Sequence, residues 1–382
     1  MSDRVLRDLN PKILILTLAH GAAHRRAAEA IEKALTRLDP SLIVRVADAL
    51  AHCAAWFRAY YNSYEIPLRY CPELWRWIEA AQHRSRSTGP AWLYRQGAKP
   101  LFRFIESFDP GTVVVTEVGL CELVSLYKRE RPAAFRLVAV ELMDFYPAWV
   151  QAEVDLYLTS HPDLSAELAA AGASPEKIVC SGQPIDPVFL SLPTREEARA
   201  RLGVAAEVPL LLVLFGGGGY GNPLRLVPQL QRISLPLQTV LIAGKNRRLE
   251  DQLRQLCHGL ARSQVFGWVA NLHEWMTAAD LVLSKPGGNT LAETFACGVP
   301  MLAFDPLPGN EERTCRWIEN WQAGLWIRQA EGLVPTIEAL LANPDALVSL
   351  RRRAQALARP CAAYGAAAAI NKLALTPRSN LS

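Results

Sequence analysis

The chain has 382 residues, 50% of them hydrophobic and 20% charged, which excludes a disordered polymer and makes two domains of ordinary size the expectation. A net charge of +4 is too mild for a nucleic-acid protein and suits a small anionic ligand or an anionic membrane surface. No apolar run reaches the ~18–20 residues of a spanning helix, and the short N-terminal run KILILTLA follows mixed charges, unlike a signal peptide. The 8 cysteines form no CxxC pair and read as free thiols of a reducing cytosol; the 7 histidines show no zinc spacing, so no metal is expected.

In chain order, KILILTL (12–18) is an almost continuous apolar run, the sign of a strand buried on both faces. A turn at Gly21 leads to a helix over 22–38 with an apolar stripe of Ala28, Ile31, Leu35 and Leu38. LIVRVAD (42–48), TVVVT (112–116), RLVAV (136–140) and VDLYLTS (154–160) read as further strands. Strands alternating with helices predict a parallel sheet covered on both faces. Residues 49–108 break this rhythm, setting Trp56, Tyr60, Tyr61, Trp75, Trp77 and Trp92 among Arg58, Arg76, Arg84, Arg86, Arg95 and Lys99. Two readings stand for that segment: helices whose aromatics turn inward, or an interfacial surface for lipid headgroups. HRSRSTGP (83–90) reads as a mobile loop. Three prolines in 181–193 and a helix start at Thr194 place a domain boundary near 190, giving domains 1–190 and 191–382, the second carrying the C-terminal helix. A second α/β series follows, with strands at 209–215, 239–244, 264–267, 280–284, 299–304 and 324–327, and a frayed tail from about Thr376.

Three motifs carry chemistry. LFGGGGYGN (214–222) follows a strand, and consecutive glycines let backbone N–H groups crowd an anion. No Lys-Ser/Thr closes it, so it is not a Walker loop. In SKPGGNTLAE (284–293), Asn289 or Thr290 caps a helix whose free N–H groups suit a phosphate, and Glu293 suits neutral hydroxyls such as a ribose diol. DPLPGNEE (305–312) sets Asn310, Glu311 and Glu312 at the carboxyl end of a strand, where open α/β sheets bind ligands.

These stretches, with LIAGKNRRLEDQL and VFGWVANLHEWMTAADLVLS, resemble the donor domain of glycosyltransferase family 28 over most of 209–325. The resemblance is closest to the branch of monogalactosyldiacylglycerol synthases and bacterial diacylglycerol glucosyltransferases. It implies an α/β GT-B fold, two Rossmann-like parallel-sheet domains facing across a cleft. It also implies that Trp268 and Val269 face uracil, that Glu293 takes the ribose, that Gly216, Gly217, Gly218 and Gly219 with Gly287, Gly288, Asn289 and Thr290 hold the diphosphate, and that Asn310 and Glu311 take the sugar. LAHGAAHRRAAEAI (18–31) matches a family loop written GGGH, with His24 at the histidine and Ala22 and Ala23 in place of glycines. VAVELMDFYPAW (138–149) matches a segment in which Glu141 stands where Asp is usual and Tyr146 where His is usual; Glu117 stands where relatives often carry His.

Attack by an acceptor hydroxyl needs a general base, and His24, Glu117, Glu141 and Asp144 are the candidates; Tyr146 suits hydrogen bonding to the acceptor. The expectation is an inverting hexosyltransferase that uses a UDP-sugar as co-substrate, requires no cofactor, and glycosylates a membrane lipid such as diacylglycerol from the cytoplasmic side, bound peripherally to an anionic surface and without a nucleic-acid partner. Alternatives are a related transferase with another lipid or soluble acceptor, a nucleotide-sugar 2-epimerase, and a non-catalytic nucleotide-sugar binder.

Overall fold

The first apolar run becomes the second strand of a six-stranded sheet, next to its edge. In the computed structural model, which describes residues 12–19, 22–64, 66–67, 71–143, 145–217, 222–258, 260 and 262–376, the chain forms two units, Met1–Pro187 with Cys361–Ser382, and Val188–Pro360.

The first unit holds β1 (Lys12–Thr17), β2 (Ile43–Asp48), β3 (Thr112–Val115), β4 (Arg136–Val140), β5 (Leu156–Thr159) and β6 (Ile178–Cys180). All are parallel, in the order β2-β1-β3-β4-β5-β6. The period-2 alternation sends Leu14, Leu16, Val113, Val115, Leu137 and Ala139 to one face, against Phe57, Tyr94, Leu101, Ile105 and Leu123 from the helices of 55–130. Ile13, Ile15, Val114, Val138 and Val140 go to the other face. β6 was not anticipated: it is a three-residue edge strand with two exposed positions, too short and too polar-facing to give a buried-strand signal.

That second face is covered by helix Ala22–Leu38 and, against expectation, by the C-terminal helix Ala362–Leu375, which was assigned to the second domain. Its small buried side chains, Ala363, Ala366 and Ala367, allow close approach to the alanine face of helix Ala22–Leu38, and Ile370 fills the same core. The Arg136 guanidinium holds its end by donating to the carbonyls of Leu373 and Thr376. Residues 83–90 also depart from the mobile loop expected. Buried Glu122 accepts from the Thr88 backbone N–H (2.6 Å), from the Thr88 hydroxyl (2.6 Å) and from the Ser87 hydroxyl, tying the loop down.

The second unit holds β7 (Leu210–Leu214), β8 (Gln238–Ile242), β9 (Ser263–Phe266), β10 (Leu281–Ser284), β11 (Met301–Phe304) and β12 (Gly324–Ile327), parallel and ordered β12-β11-β10-β7-β8-β9. β7, β10 and β11 are buried throughout, which explains their unbroken apolar runs. The entry helix Arg195–Leu202 starts at Thr194 in a full capping box with Glu197. It is fixed by Arg195 and Arg199, which meet Asp280 at the foot of β10 at 2.5 and 2.6 Å; Arg351 reaches the same carboxylate at 3.1 Å.

Candidate active site

Each sheet has a topological switch point, where successive connections leave in opposite directions and the strand ends splay into a crevice. In the first unit it lies between β1 and β3, in the second between β7 and β10. Several of the residues singled out in the sequence follow the carboxyl ends of strands in these sheets: His24 after β1, Glu117 after β3, Gly216 after β7 and Gly287 after β10.

After β1 the chain enters helix Ala22–Leu38, and His24 sits in its first turn, half-buried. Its Nδ1 lies 2.5 Å from the carbonyl oxygen of Thr116, at the end of β3, so the bond spans the switch point. A carbonyl only accepts, so Nδ1 carries the proton, and in the neutral ring the lone pair falls on Nε2.

Glu117 has a different occupation. It is the N-cap of helix Val118–Glu130, its Oε1 accepting from Gly119 N–H (3.0 Å) and its Oε2 from Leu120 N–H (2.9 Å) and from the Tyr61 hydroxyl (2.6 Å). Burial first, and then the Glu117 charge, hold the Tyr61 phenol well above its ordinary pKa, so it stays a donor. A Cβ on Gly119 would fall 2.1 Å from the Tyr61 oxygen, so that glycine keeps the space open.

Glu141 follows β4 and is 1% exposed, with the Ser160 hydroxyl 3.4 Å from its Oε2. Asp144 lies outside the described residues. Tyr146 is buried, and its hydroxyl donates to Glu79 Oε1 at 3.3 Å; its ring stacks on His83 at 4.6 Å between centroids. The hydroxyl expected to meet an acceptor is thus engaged by helix Pro72–Gln82, a pairing that no local sequence signal announces.

In the second unit, Phe215, Asn222, Ser284, Lys285 and Asp305 line a depression at the ends of β7, β10 and β11. A chain of contacts joins the loops around it. Gly244 has φ +67, and a Cβ there would meet the Gly216 carbonyl at 2.5 Å, so the turn after β8 rests directly on the glycine loop. Lys245 N–H donates to the Gly217 carbonyl (3.2 Å), while its ammonium lies 4.8 Å from the Trp268 ring centroid. Lys285, directly after β10, pairs with Glu311, whose other oxygen accepts from Leu307 N–H at 2.8 Å. Gly218 and Gly219 lie outside the described residues.

Helix Gly288–Ala296 begins earlier than expected: its N-cap is Gly287, and neither Asn289 nor Thr290 caps it. A glycine N-cap puts no side-chain cap over the first turn. Glu293 is in the second turn and only 1% exposed, and Asn289 is 3% exposed. Asn310 opens helix Asn310–Asn320 after Gly309 at φ 90, with Glu311 in its first turn. Trp268 and Val269 follow edge strand β9, and Trp268 is 59% exposed. The pairings of Tyr61 with Glu117 and of Tyr146 with Glu79 join positions 56 and 67 apart, so no local sequence pattern announces them, and Lys245 and Lys285 are masked by the glycines beside them.

The segment 49–108 divides between the two readings offered for it. Phe57 and Tyr94 are buried in the core, but Trp56 and Tyr60, four apart on helix Ala55–Asn62, are 49% and 43% exposed. Leu74 and Trp77, three apart on helix Pro72–Gln82, are 49% and 71% exposed, and Trp92 is 67% exposed. Arg58, Arg84 and Lys99 in the same segment are exposed as well. No single described helix is long and apolar enough to cross a membrane.

The family model of monogalactosyldiacylglycerol (MGDG) synthase matches residues 24–185, and that of glycosyl transferases group 1 matches residues 223–343. A processive diacylglycerol beta-glucosyltransferase of Bacillus pumilus is 22% identical over 359 residues, covering 92% of this chain and 92% of that protein. Among solved structures, MurG of Acinetobacter baumannii superposes with a TM-score of 0.61 at 15% identity, over 95% of this chain and 99% of that one. Anabaena Alr3699/HepE in complex with UDP-glucose superposes with a TM-score of 0.56 at 16% identity, over 97% and 100%. These likenesses and the two parallel sheets give the GT-B fold. The chain is a glycosyltransferase whose residues 24–185 are similar to the monogalactosyldiacylglycerol synthase family and whose residues 223–343 are similar to glycosyl transferases group 1.

Proposed function

We propose that the protein is an inverting hexosyltransferase that moves a sugar from UDP to a hydroxyl of a membrane lipid such as diacylglycerol. The observation that carries this reading is the end-to-end similarity to a protein named processive diacylglycerol beta-glucosyltransferase, which spans both units rather than the donor half alone. The exposed Trp56, Tyr60, Leu74, Trp77 and Trp92 beside basic side chains support a lipid acceptor, since aromatic rings settle at headgroup depth and cations at anionic lipids. On this reading the enzyme is cytoplasmic and rests on the membrane surface.

In the reaction the acceptor oxygen bonds to the anomeric carbon while the bond from that carbon to the β-phosphate oxygen breaks, and its electron pair leaves with UDP. The acceptor proton passes to His24 Nε2, because the Thr116 carbonyl holds the ring in the required tautomer. Glu117 supplies structure instead: three donors already occupy its carboxylate. The first turn of helix Gly288–Ala296 and the glycines after β7 offer backbone N–H groups to the diphosphate, Glu293 takes the ribose, Asn310 takes the sugar, and Trp268 and Val269 flank the base.

A mass-detected transfer assay tests this. Purified protein receives UDP-glucose, UDP-galactose or UDP-N-acetylglucosamine with diacylglycerol in anionic liposomes. A new glycolipid is the expected product. UDP-sugar binding without a glycolipid would overturn the lipid acceptor.

A further inference from the structure

The sequence motifs assigned the diphosphate to backbone groups alone, yet a cation stands among them. Lys285 follows β10 at the switch point and lines the depression there. A Cβ on Gly216 would lie 3.5 Å from its Cε, and one on Gly287 would lie 4.0 Å from its Nζ. The ammonium therefore lies between the two glycine loops that approach from β7 and β10. Its partner Glu311 has its paired oxygen 3.8 Å from the same Gly287 Cβ position.

We propose that Lys285 is the diphosphate-binding cation of this site and that Glu311 is its exchangeable counter-ion. This rests on the UDP-sugar reading above and adds a residue to it. Three features support an exchange. First, the two side chains are 18% and 15% exposed, so neither charge is well screened and each needs a partner. Second, Glu311 keeps the Leu307 N–H on its other oxygen, so it stays hydrogen-bonded when the ammonium turns away. Third, a diphosphate outbids a single carboxylate for the ammonium, because it carries more charge and more acceptor oxygens. As the bond to the anomeric carbon breaks, the electron pair arrives on the β-phosphate beside Lys285, which meets the growing charge without giving up a proton. Glu311 then acts on the donor through Lys285, in place of the direct contact with the sugar that the sequence implied.

Calorimetric titration of the full-length protein with UDP and with uridine tests the assignment, using wild type, Lys285→Met, Lys285→Arg and Glu311→Gln. Lys285→Met is expected to weaken UDP binding about 10- to 100-fold while uridine binding is unchanged. Lys285→Arg is expected to restore most of the loss. Glu311→Gln removes the competitor and is expected to tighten UDP binding several-fold. Equal UDP affinity in Lys285→Met and wild type, or weaker UDP binding in Glu311→Gln, overturns the proposal. Should Lys285→Met fail to fold in a thermal melt, the direction of the Glu311→Gln change decides alone. A wild-type protein that binds uridine and UDP equally leaves the diphosphate without a site and overturns the assignment of Lys285 while sparing a nucleoside pocket; one that binds neither overturns the donor reading together with it.

Discussion

The Tyr61 hydroxyl donates to Glu117 Oε2 at 2.6 Å, and the same carboxylate caps the helix that leaves β3. A base with both oxygens occupied by donors is a poor base, so Glu117 is expected to matter for stability more than for rate. Tyr61→Phe should cost about 1.5–3 kcal/mol in urea unfolding, the range for a hydrogen bond to a charged group. Glu117→Gln should keep turnover within roughly tenfold of wild type, against the ~10²–10⁴-fold loss that follows removal of a general base. A large rate loss with unchanged stability would return Glu117 to the chemistry.

The tautomer at His24 makes the opposite forecast. His24→Ala should lower turnover by about 10²–10⁴-fold and leave UDP affinity nearly unchanged, because Nε2 acts on the acceptor rather than the donor. Near-normal turnover would remove His24 from the mechanism.

Glu293 is 1% exposed on the helix proposed to take the diphosphate, so its carboxylate fits a neutral diol better than a phosphate. Glu293→Ala should weaken UDP on the order of tenfold or more, and should erase the wild-type preference for UDP over 2′-deoxy-UDP. Unchanged UDP affinity would show the ribose to be held elsewhere.

Trp77 and Trp92 are 71% and 67% exposed, and the proposed membrane role gives them something to bury against. Replacing each with Ala should lower partitioning onto anionic liposomes by about tenfold, with UDP binding intact. Added salt should weaken wild-type partitioning further through the basic neighbours. Indifference to both changes would place the lipid contact on another surface.

What the sequence revealed followed from burial. Strands such as LLLVL (Leu210–Leu214) are covered on both faces, so they are apolar without interruption and stand out from their surroundings. The edge strand Ile178–Cys180 exposes two of its three residues and lacks that mark. Gly216 after β7 was legible because its left-handed backbone, at φ +72, favours that residue type. The ion pair between Lys285 and Glu311 was not, since a charge in a motif does not say which distant charge it faces. The cap formed by Glu117 was hidden for a related reason: Ser, Thr, Asp and Asn advertise a helix start, and Glu does not.

The return of helix Ala362–Leu375 to the first sheet makes the second unit an insertion within the first. As the polypeptide leaves the ribosome, the unit ending at Pro360 is complete before the one that began it, and the face of Ile13, Ile15 and Val138 has only helix Ala22–Leu38 over it until helix Ala362–Leu375 emerges. Termination between Pro360 and that helix leaves the second unit whole and removes part of the cover of the first sheet. A graft of the second unit from a relative accordingly needs two junctions, at Pro187 and at Cys361, where a single crossover near the middle would give the first sheet a foreign lid.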